Sequence, residues 1–227
     1  MSEIGAGAGI AGEAYRHCEQ LVRAHDKDRY LASLYAPVAR RPCLFALYAF
    51  AIEIGRVRQR VKEPLAGTIR LQWWHEAIAG LRAEEAAASP VLIALQDAAR
   101  QTGVALTPLT EAVEARQDEL HGTPAVGAAS AIMTMAARFL GADDVAIVTA
   151  AAHAGNAVTF VRDAGTADAA REAYRAFRAQ AAVLPEQALP AFLEVSLVPL
   201  LLKNPSAPQW RRQLTLLRAA HFGFARL

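Results

Sequence analysis

Hydrophobic and polar residues divide the chain into helix-sized segments whose ends are marked by proline and glycine. A hydroxyl residue stands before proline where a helix would start, because the hydroxyl can cap the helix and proline suits its first turn: Ser89-Pro90, Thr107-Pro108 and Thr123-Pro124. Glycine stands where a helix would stop: Gly80, Gly103, Gly122 and Gly141. No segment alternates apolar and polar residues as a half-buried strand does. The pattern predicts an all-α fold with helices near 13–33, 41–62, 67–82, 90–102, 108–121, 125–140, 143–163, 168–183, 186–203 and 207–224.

Two parts of the chain depart from this regular pattern. Residues 1–12 are predicted to form a disordered N-terminal tail, which leaves residues 13–227 as a single helical domain. Between 185 and 203, Pro185, Pro190 and Pro199 predict short or kinked helices, because proline lacks the amide hydrogen that a helix interior needs.

The longest stretch without a formal charge covers residues 145–161, which is 17 residues. A membrane-spanning helix needs about 20 predominantly apolar residues, so we interpret this stretch as a central helix of a soluble bundle. The N-terminus lacks the basic and apolar regions of a signal peptide. These features predict a cytoplasmic protein without a transmembrane helix, with a peripheral position at the inner membrane as a further option.

Composition narrows the function classes. Hydrophobic residues make up 54% of the chain, largely as alanine, and aromatic residues only 7%, which favours closely packed helices over a β-sandwich. The net charge of +2 and the lack of a recognition signature give no indication of a nucleic-acid partner. Cys18 and Cys43 fit no metal-binding or redox spacing, so we expect reduced packing cysteines.

Three segments resemble the squalene/phytoene synthase family. Its first motif opens with tyrosine-alanine-phenylalanine, followed after a spacer by an aspartate pair and a third aspartate, and Tyr48-Ala49-Phe50 matches that opening. The Leu71-Gln-Trp-Trp74 segment is similar to the family's next helix, and residues 153–163 resemble the helix with the second acidic motif. A weaker similarity covers 131–141. The resemblance implies an isoprenoid-synthase-like helical bundle around a central cavity.

The acidic residues of that family are mostly missing here. In the family, Mg²⁺ ions bridge substrate diphosphates to carboxylates on two facing helices, which suits the preference of Mg²⁺ for hard oxygen ligands. The aspartate positions of the first motif are occupied by Gly55, Arg56 and Gln59, and the second motif keeps only Arg162 and Asp163. We therefore predict no catalytic residue, no metal site and no cofactor; Mg²⁺ would be needed only if the chain were a transferase.

Helical spacing predicts which of these residues meet. Positions 48, 52, 55, 56 and 59 share one helical face, so Gly55, Arg56 and Gln59 are expected to line the cavity opposite Arg162 and Asp163. A buried Arg56 needs an anionic partner, and the alternatives are an internal ion pair, a bound anion, or simple exposure. The candidate cavity or anion-binding residues are Tyr48, Ile52, Glu53, Arg56, Asn156 and Arg162.

Trp73 and Trp74 are candidate interface residues. Adjacent helical positions point about 100° apart, so one should pack inside and the other should lie near the surface. An exposed tryptophan is a common anchor for a protein partner.

One branch of the family is more similar than the enzymes. The run from Glu53 to Arg58 and the segment 63–74 resemble the non-catalytic respiratory complex I assembly-factor group. That resemblance implies an assembly or scaffolding factor with a protein partner at or near the inner membrane. The alternatives are a Mg²⁺-dependent prenyl-diphosphate transferase of the squalene/phytoene synthase type, and a module that binds an isoprenoid or another lipid without turnover.

Overall fold

The computed structural model describes residues 3–162 and 166–224, and the regular structure within these ranges is helical without a β-strand. The predicted all-α fold is therefore confirmed. The α-helices are α1 (Glu3–His25), α2 (Lys27–Ser33), α3 (Arg41–Gly55), α4 (Val57–Arg60), α5 (Pro64–Ile78), α6 (Ala83–Ala86), α7 (Pro90–Thr102), α8 (Thr110–Leu120), α9 (Val126–Phe139), α10 (Val145–Arg162), α11 (Ala167–Gln180), α12 (Leu189–Phe192), α13 (Val198–Lys203) and α14 (Gln209–Phe222). Short 3₁₀ turns cover Val38–Arg40, Thr107–Leu109, Ala181–Val183, Glu186–Ala188 and Leu193–Leu197.

The predicted helix stops are confirmed, but of the three predicted caps only Ser89 is: neither Thr107 nor Thr123 caps a helix with its side chain. The backbone φ angle is positive at all four glycines that were expected to stop helices, and Gly103 follows α7 directly with φ 71°. A residue with a Cβ atom is strained in that conformation, which explains glycine there. At the other end of α7, the Ser89 side chain accepts a hydrogen bond from the amide of Leu92.

Two of the predicted helices are each broken into two. The 13–33 segment breaks at Asp26, whose carboxylate caps α2 by accepting the amide hydrogen of Arg29 at 3.0 Å. The 41–62 segment breaks at Arg56, directly after Gly55, since glycine is a weak helix former. In addition, α1 begins at Glu3, which departs from the predicted tail over residues 1–12; extending an anchored helix costs little.

The core is centred on α3. Every residue from Cys43 to Ile54 is buried except Glu53, and α1, α7 and α9 pack around this helix. Both cysteines, Cys18 and Cys43, are buried free thiols, and burial raises the pKa of the Cys18 thiol to about 12. They are thus unreactive packing residues, as the sequence predicts.

The helices α9 and α10 pack closely against each other beside the cavity. Small residues allow it: a Cβ atom on Gly155 would lie only 2.4 Å from the backbone nitrogen of Ser130. Within the described ranges, α10 is the one helix that is long and apolar enough to cross a membrane by length and composition alone. It packs along α9 and α11, in agreement with its interpretation as a central helix.

The C-terminal part consists of short helices followed by one longer helix. Between Glu186 and Lys203 the chain forms only 3₁₀ turns and the short helices α12 and α13, as its prolines predict. The final helix, α14, packs against α2 and the Leu193–Leu197 turn. Arg212 of α14 donates to the buried carboxylate of Asp28 in α2, which fastens α14 to the bundle.

Candidate functional site: an arginine-lined cavity

A cavity of about 500 Å³ lies between α3, α4, α8, α9 and α10. Its apolar lining comes from α3, α9 and α10: Ala51, Ile54, Ala128, Ala129, Ile132 and Val158. Its charged lining comes from α2, α4, α8 and α10: Arg29, Arg58, Arg116, Glu119 and Arg162. The cavity therefore combines an apolar surface with an excess of positive charge.

Arg29 and Arg162 face one buried carboxylate, Glu194, and these three residues are called the paired wall. Nε of Arg29 donates to Glu194 Oε2 at 2.8 Å, and Arg162 donates to Oε1 of the same carboxylate. The Glu194 side chain is only 5% exposed. Charge-assisted hydrogen bonds of this kind are needed at such a site, because an unpaired buried charge costs several kcal/mol.

Two further residues surround Arg29. Asp26 lies 3.6 Å from the Arg29 guanidinium, so the residue that caps α2 also contributes a second carboxylate. On the other side, the Arg29 guanidinium lies 5.4 Å from the centre of the Tyr48 ring, in a cation–π arrangement. Arg29 is therefore held by the fold from three directions.

The pKa values of the paired wall follow from burial and these contacts. Burial favours a raised pKa for Glu194, but Arg29 and Arg162 outweigh it and hold that pKa below its ordinary value. Burial raises the pKa of Asp26 despite the nearby Arg29. Burial also raises the pKa of Tyr48, which keeps its hydroxyl neutral. Glu194 thus stays ionised and neutralises part of the arginine charge.

Arg58, Arg116 and Glu119 line the opposite side of the cavity, and these three residues are called the open wall. Arg116 Nη1 donates to Glu119 Oε2 at 2.8 Å, and Arg58 lies 3.5 Å from the other oxygen of that carboxylate. The Nε atom of Arg116 is buried and has no hydrogen-bond partner within the described ranges. Two arginines share a single carboxylate here, and one donor is left free for another acceptor.

Arg116 lies directly against Gly55. A Cβ atom on Gly55 would be 3.8 Å from Arg116 Nη2 and 3.9 Å from its guanidinium carbon. By the resemblance to the family, Gly55 stands at the position of the first aspartate of the acidic motif. A permanent cation from α8 therefore sits beside the place where the motif would otherwise supply a carboxylate.

The three residues of the degenerate first motif have different surroundings. Gln59 lines the cavity, and Gly55 reaches it through its contact with Arg116. Arg56 is not among the lining residues, so its predicted position on the cavity face is wrong, and Arg58 occupies that role. The reason is the helix break at Arg56, which ends the α3 register before these residues.

The second-motif residues are only partly placed by the structure. Arg162 lines the cavity as predicted, whereas Asp163 lies outside the described residues. Tyr48 and Ile52 are buried in α3 and Asn156 is partly buried in α10, but none of them lines the cavity. Their predicted role in anion binding is therefore not supported by their placement.

Glu53 belongs to a different pocket. It pairs with Arg60 at 3.3 Å instead of Arg56, and it lines a pocket of about 430 Å³ together with Trp73 and Trp74. Trp74 is buried with an edge-on contact to Phe50, while Trp73 is half-buried. One tryptophan thus lies inside and one nearer the surface, as expected, and the interface role of both stays a prediction.

The residues of this cavity do not fit a magnesium cluster. Across residues 3–162 and 166–224, no three His, Cys, Asp or Glu side chains are grouped so that they could hold a metal ion. Glu119 and Glu194 each bind arginine, and Arg116 lies where a metal would face the first motif. Mg²⁺ prefers several oxygen ligands in octahedral geometry, which this donor set does not offer.

The sequence analysis missed several residues of the site, among them Arg29, Arg116, Glu119 and Glu194. Glu194 carried a usable signal, because it is the one charged residue between Glu186 and Lys203 in a strongly apolar stretch. A lone carboxylate in such a stretch predicts a buried ion pair. Arg116 carried no such signal, since it stands among other charged residues of α8.

Comparison with known proteins supports this fold. The family model described as squalene/phytoene synthase matches residues 22–166. A dehydrosqualene synthase crystallised with a ligand has a TM-score of 0.76 at 13% identity, covering 95% of this chain and 98% of that one. A squalene synthase from Alicyclobacillus acidocaldarius has a TM-score of 0.62 at 14% identity, covering 94% of this chain and 95% of that one. These two similarities concern the fold alone.

Curated relatives carry a different name. NADH dehydrogenase (ubiquinone) complex I, assembly factor 6 from Bos taurus is 28% identical over 165 residues, which is 68% of this chain and 50% of that protein. The Homo sapiens protein of the same name is 28% identical over 151 residues, which is 62% of this chain and 45% of that protein. The matched part is thus about half the length of these relatives.

Proposed function

The chain belongs to the squalene/phytoene synthase family, and we propose that it is a non-catalytic member that acts as an assembly or scaffolding factor for a respiratory complex. The observation that carries this proposal is the contact of Arg116 with Gly55. It places a permanent positive charge where the family's chemistry would need a metal-binding carboxylate. The names of the Bos taurus and Homo sapiens relatives support the assembly role.

Electrostatics argue against turnover at this site. A divalent cation about 4 Å from one guanidinium would be repelled by about 8 kcal/mol at an effective dielectric constant of 20. The family reaction breaks a carbon–diphosphate bond, and charge develops on the leaving group, which metal ions must neutralise. Every 1.36 kcal/mol lost from the transition state lowers the rate about tenfold, so such a penalty would abolish useful catalysis.

The assembly role can be tested in a strain of the source organism that lacks the protein. We expect less assembled complex I on native gels and lower NADH:ubiquinone oxidoreductase activity, with both restored by the wild-type chain. An Arg116→Gln variant, which leaves the paired wall intact, should restore complex I as the wild type does, because the proposed role needs no chemistry in the cavity. Normal complex I in the deletion strain would contradict the assembly role.

The transferase alternative has a direct biochemical test. Purified protein is incubated with radiolabelled farnesyl or geranylgeranyl diphosphate and excess Mg²⁺, and we expect no condensation product. A matched variant, Asp163→Ala, removes the acidic residue that remains from the second motif. Product made by the wild type and lost in this variant would establish catalysis and overturn the non-catalytic assignment.

Binding of an isoprenoid or other lipid anion without turnover is a second candidate function. The free Nε of Arg116 and the apolar side of the cavity favour it, since together they suit a phosphate-type headgroup joined to an apolar chain. A ligand at 100 times its dissociation constant adds about 2.7 kcal/mol to the free energy of unfolding. For a chain of this size that corresponds to a rise of roughly 5 to 10 °C in Tm.

Thermal unfolding with EDTA present tests this candidate. Inorganic pyrophosphate and farnesyl diphosphate are compared, so that binding of the headgroup alone can be told from binding of the whole amphiphile. Arg116→Gln should remove the rise in Tm, whereas Arg171→Gln, on the surface and away from the cavity, should leave it unchanged. No rise with either ligand would exclude this function, and a rise seen only with Mg²⁺ would favour the transferase alternative.

A further inference from the structure

The outward face of α14 carries large apolar side chains that are exposed to solvent. Trp210 is 60% exposed, Leu214 41% and Leu217 51%. Their spacing of four and three residues places them on one stripe of the helix, opposite the buried Leu216 and Ala219. Single exposed apolar residues are common, but an aligned stripe of this kind indicates a docking surface.

Arginines run along one edge of this stripe. Arg211 and Arg218 are exposed and seven residues apart, which is two helical turns, so they lie on the same side of the helix. The Arg211 guanidinium stacks over the Trp210 ring at 5.2 Å from its centre. Neither arginine has an ion pair among the described residues, unlike Arg212, which is neutralised by Asp28. We call these five residues, Trp210, Arg211, Leu214, Leu217 and Arg218, the α14 outer face.

The side chains that follow Glu194 in the sequence carry only positive formal charges. After Glu194 the sequence contains no aspartate or glutamate, whereas it contains five basic residues: Lys203, Arg211, Arg212, Arg218 and Arg226. An apolar stripe with an uncompensated basic edge and a tryptophan is typical of helices that lie in the interface of an anionic membrane. A second copy of the chain is a poor occupant, because it would bring the same unpaired arginines against each other.

We propose that the α14 outer face docks the protein onto an anionic lipid surface. Trp210, Leu214 and Leu217 enter the boundary between headgroups and acyl chains, and Arg211 and Arg218 contact lipid phosphates. The face points away from the bundle, so docking leaves the arginine-lined cavity and the core unchanged. This inference does not depend on the assembly role, and either can fail without the other.

Co-sedimentation of the full chain with vesicles tests the proposal. One set contains one part phosphatidylglycerol to two parts phosphatidylcholine, and the other contains phosphatidylcholine alone. We expect binding to the anionic set, little binding to the neutral set, and loss of binding at high salt. Each basic residue near an anionic surface contributes about a fivefold gain in binding, so Arg211→Gln, Arg218→Gln together should weaken it about thirtyfold.

Substitutions of the apolar stripe separate insertion from general charge attraction. Trp210→Ser, Leu217→Ser should weaken binding at least about tenfold, because the apolar face supplies the insertion energy. A matched control, Leu65→Ser, Ile69→Ser, removes two apolar residues of α5 that are 71% and 64% exposed, and it should bind like the wild type. Circular dichroism and thermal unfolding should be the same for all variants, since each changed side chain faces solvent.

Three outcomes would overturn the proposal. One is a wild-type protein that stays in the supernatant with anionic vesicles. Another is binding that the α14 variants do not weaken, which would assign the lipid contact to another surface. The third is a wild-type dimer in analytical ultracentrifugation that becomes a monomer in the α14 variants, together with a lack of vesicle binding. That result would make the α14 outer face a contact between copies of the chain.

Discussion

The two walls of the arginine-lined cavity satisfy their charges in different ways. In the paired wall, Arg29 and Arg162 both bind Glu194, and all three charges belong to a closed network. In the open wall, Arg116 has only Glu119, which it shares with Arg58, and its Nε donor is left without a partner within the described residues. The difference indicates that one wall holds the fold together and the other is available to a ligand.

If the paired wall is structural, removing its carboxylate should cost the most stability. Glu194→Gln leaves Arg29 buried without its main anionic partner, although the shape of the side chain is kept. Breaking a buried ion pair in this way costs about 3 to 5 kcal/mol. We expect a loss of this size in the free energy of unfolding, measured by urea denaturation.

The matched control for this variant is Glu85→Gln. Glu85 also receives hydrogen bonds, from Trp73 and Arg82, but on the surface, so its loss should lower the free energy of unfolding far less than the loss of Glu194 does. Equal effects of the two glutamine variants would contradict the structural role of the paired wall.

Close packing between α9 and α10 should matter next most. Gly155→Ala would place a Cβ atom 2.4 Å from the Ser130 backbone nitrogen, and backbone cannot yield as a flexible side chain can. Overpacking of this kind costs about 1 to 3 kcal/mol, and we expect the upper end of that range.

Gly127→Ala is the control, because there the nearest atom is the Ala115 Cβ at 3.7 Å. The control should be neutral or slightly stabilising by thermal unfolding, since alanine favours helix. A Gly155→Ala protein as stable as the wild type would mean that α9 and α10 are packed less closely than the structure shows.

The sequence predicts the helices better than it predicts these walls. Helix ends at Ser89 and Gly103 depend on capping and on backbone conformation, both of which are local properties. The breaks at Asp26 and Arg56 were missed although each has a local cause, because the Asp26 carboxylate caps α2 and Gly55, just before Arg56, is a weak helix former. The break at Arg56 alone accounts for the misplacement of that residue relative to the cavity.

Acid should weaken the paired wall in a way that depends on Asp26. The pKa of Glu194 is lowered, so its contribution to stability is present above its ordinary pKa of 4.5 and is lost as pH falls through the folded value. The pKa of Asp26 is raised above 3.8, so the folded state takes up that proton more readily, which opposes the loss as pH falls. Asp26→Asn removes the opposing contribution but keeps a side chain that can cap α2.

We therefore expect the stability of Asp26→Asn to fall more steeply than that of the wild type as the pH drops below 4.5, the ordinary pKa of Glu194. Urea denaturation at several pH values measures both curves. Parallel curves would show that Asp26 does not oppose the effect of Glu194.

The partners in the site could not be predicted because they are far apart in sequence. Arg29 and Glu194 are 165 positions apart, and nothing in the local pattern of either residue identifies the other. The resemblance to a family located Gly55 but could not show that Arg116 would lie against it, because Arg116 comes from a helix outside both acidic motifs. Charge pairing between distant helices is decided by the tertiary fold.

The smallest effect on stability is expected at the open wall. The Arg116 side chain is 28% exposed, and it pairs with Glu119, three residues further along the same helix. An ion pair at this spacing stabilises a helix by about 0.2 to 0.5 kcal/mol. The buried Nε of Arg116 has no partner within the described residues, and removing an unsatisfied donor offsets part of that loss. Arg116→Gln should therefore change the free energy of unfolding of the ligand-free protein by no more than about 0.5 kcal/mol.

Arg29→Gln, the matched change in the paired wall, should cost several times more, because it leaves Glu194 buried with one partner fewer. Urea denaturation of both variants without added anions measures the contrast directly. A large loss in Arg116→Gln would mean that the open wall also holds the fold together, and the distinction between the two walls would fail.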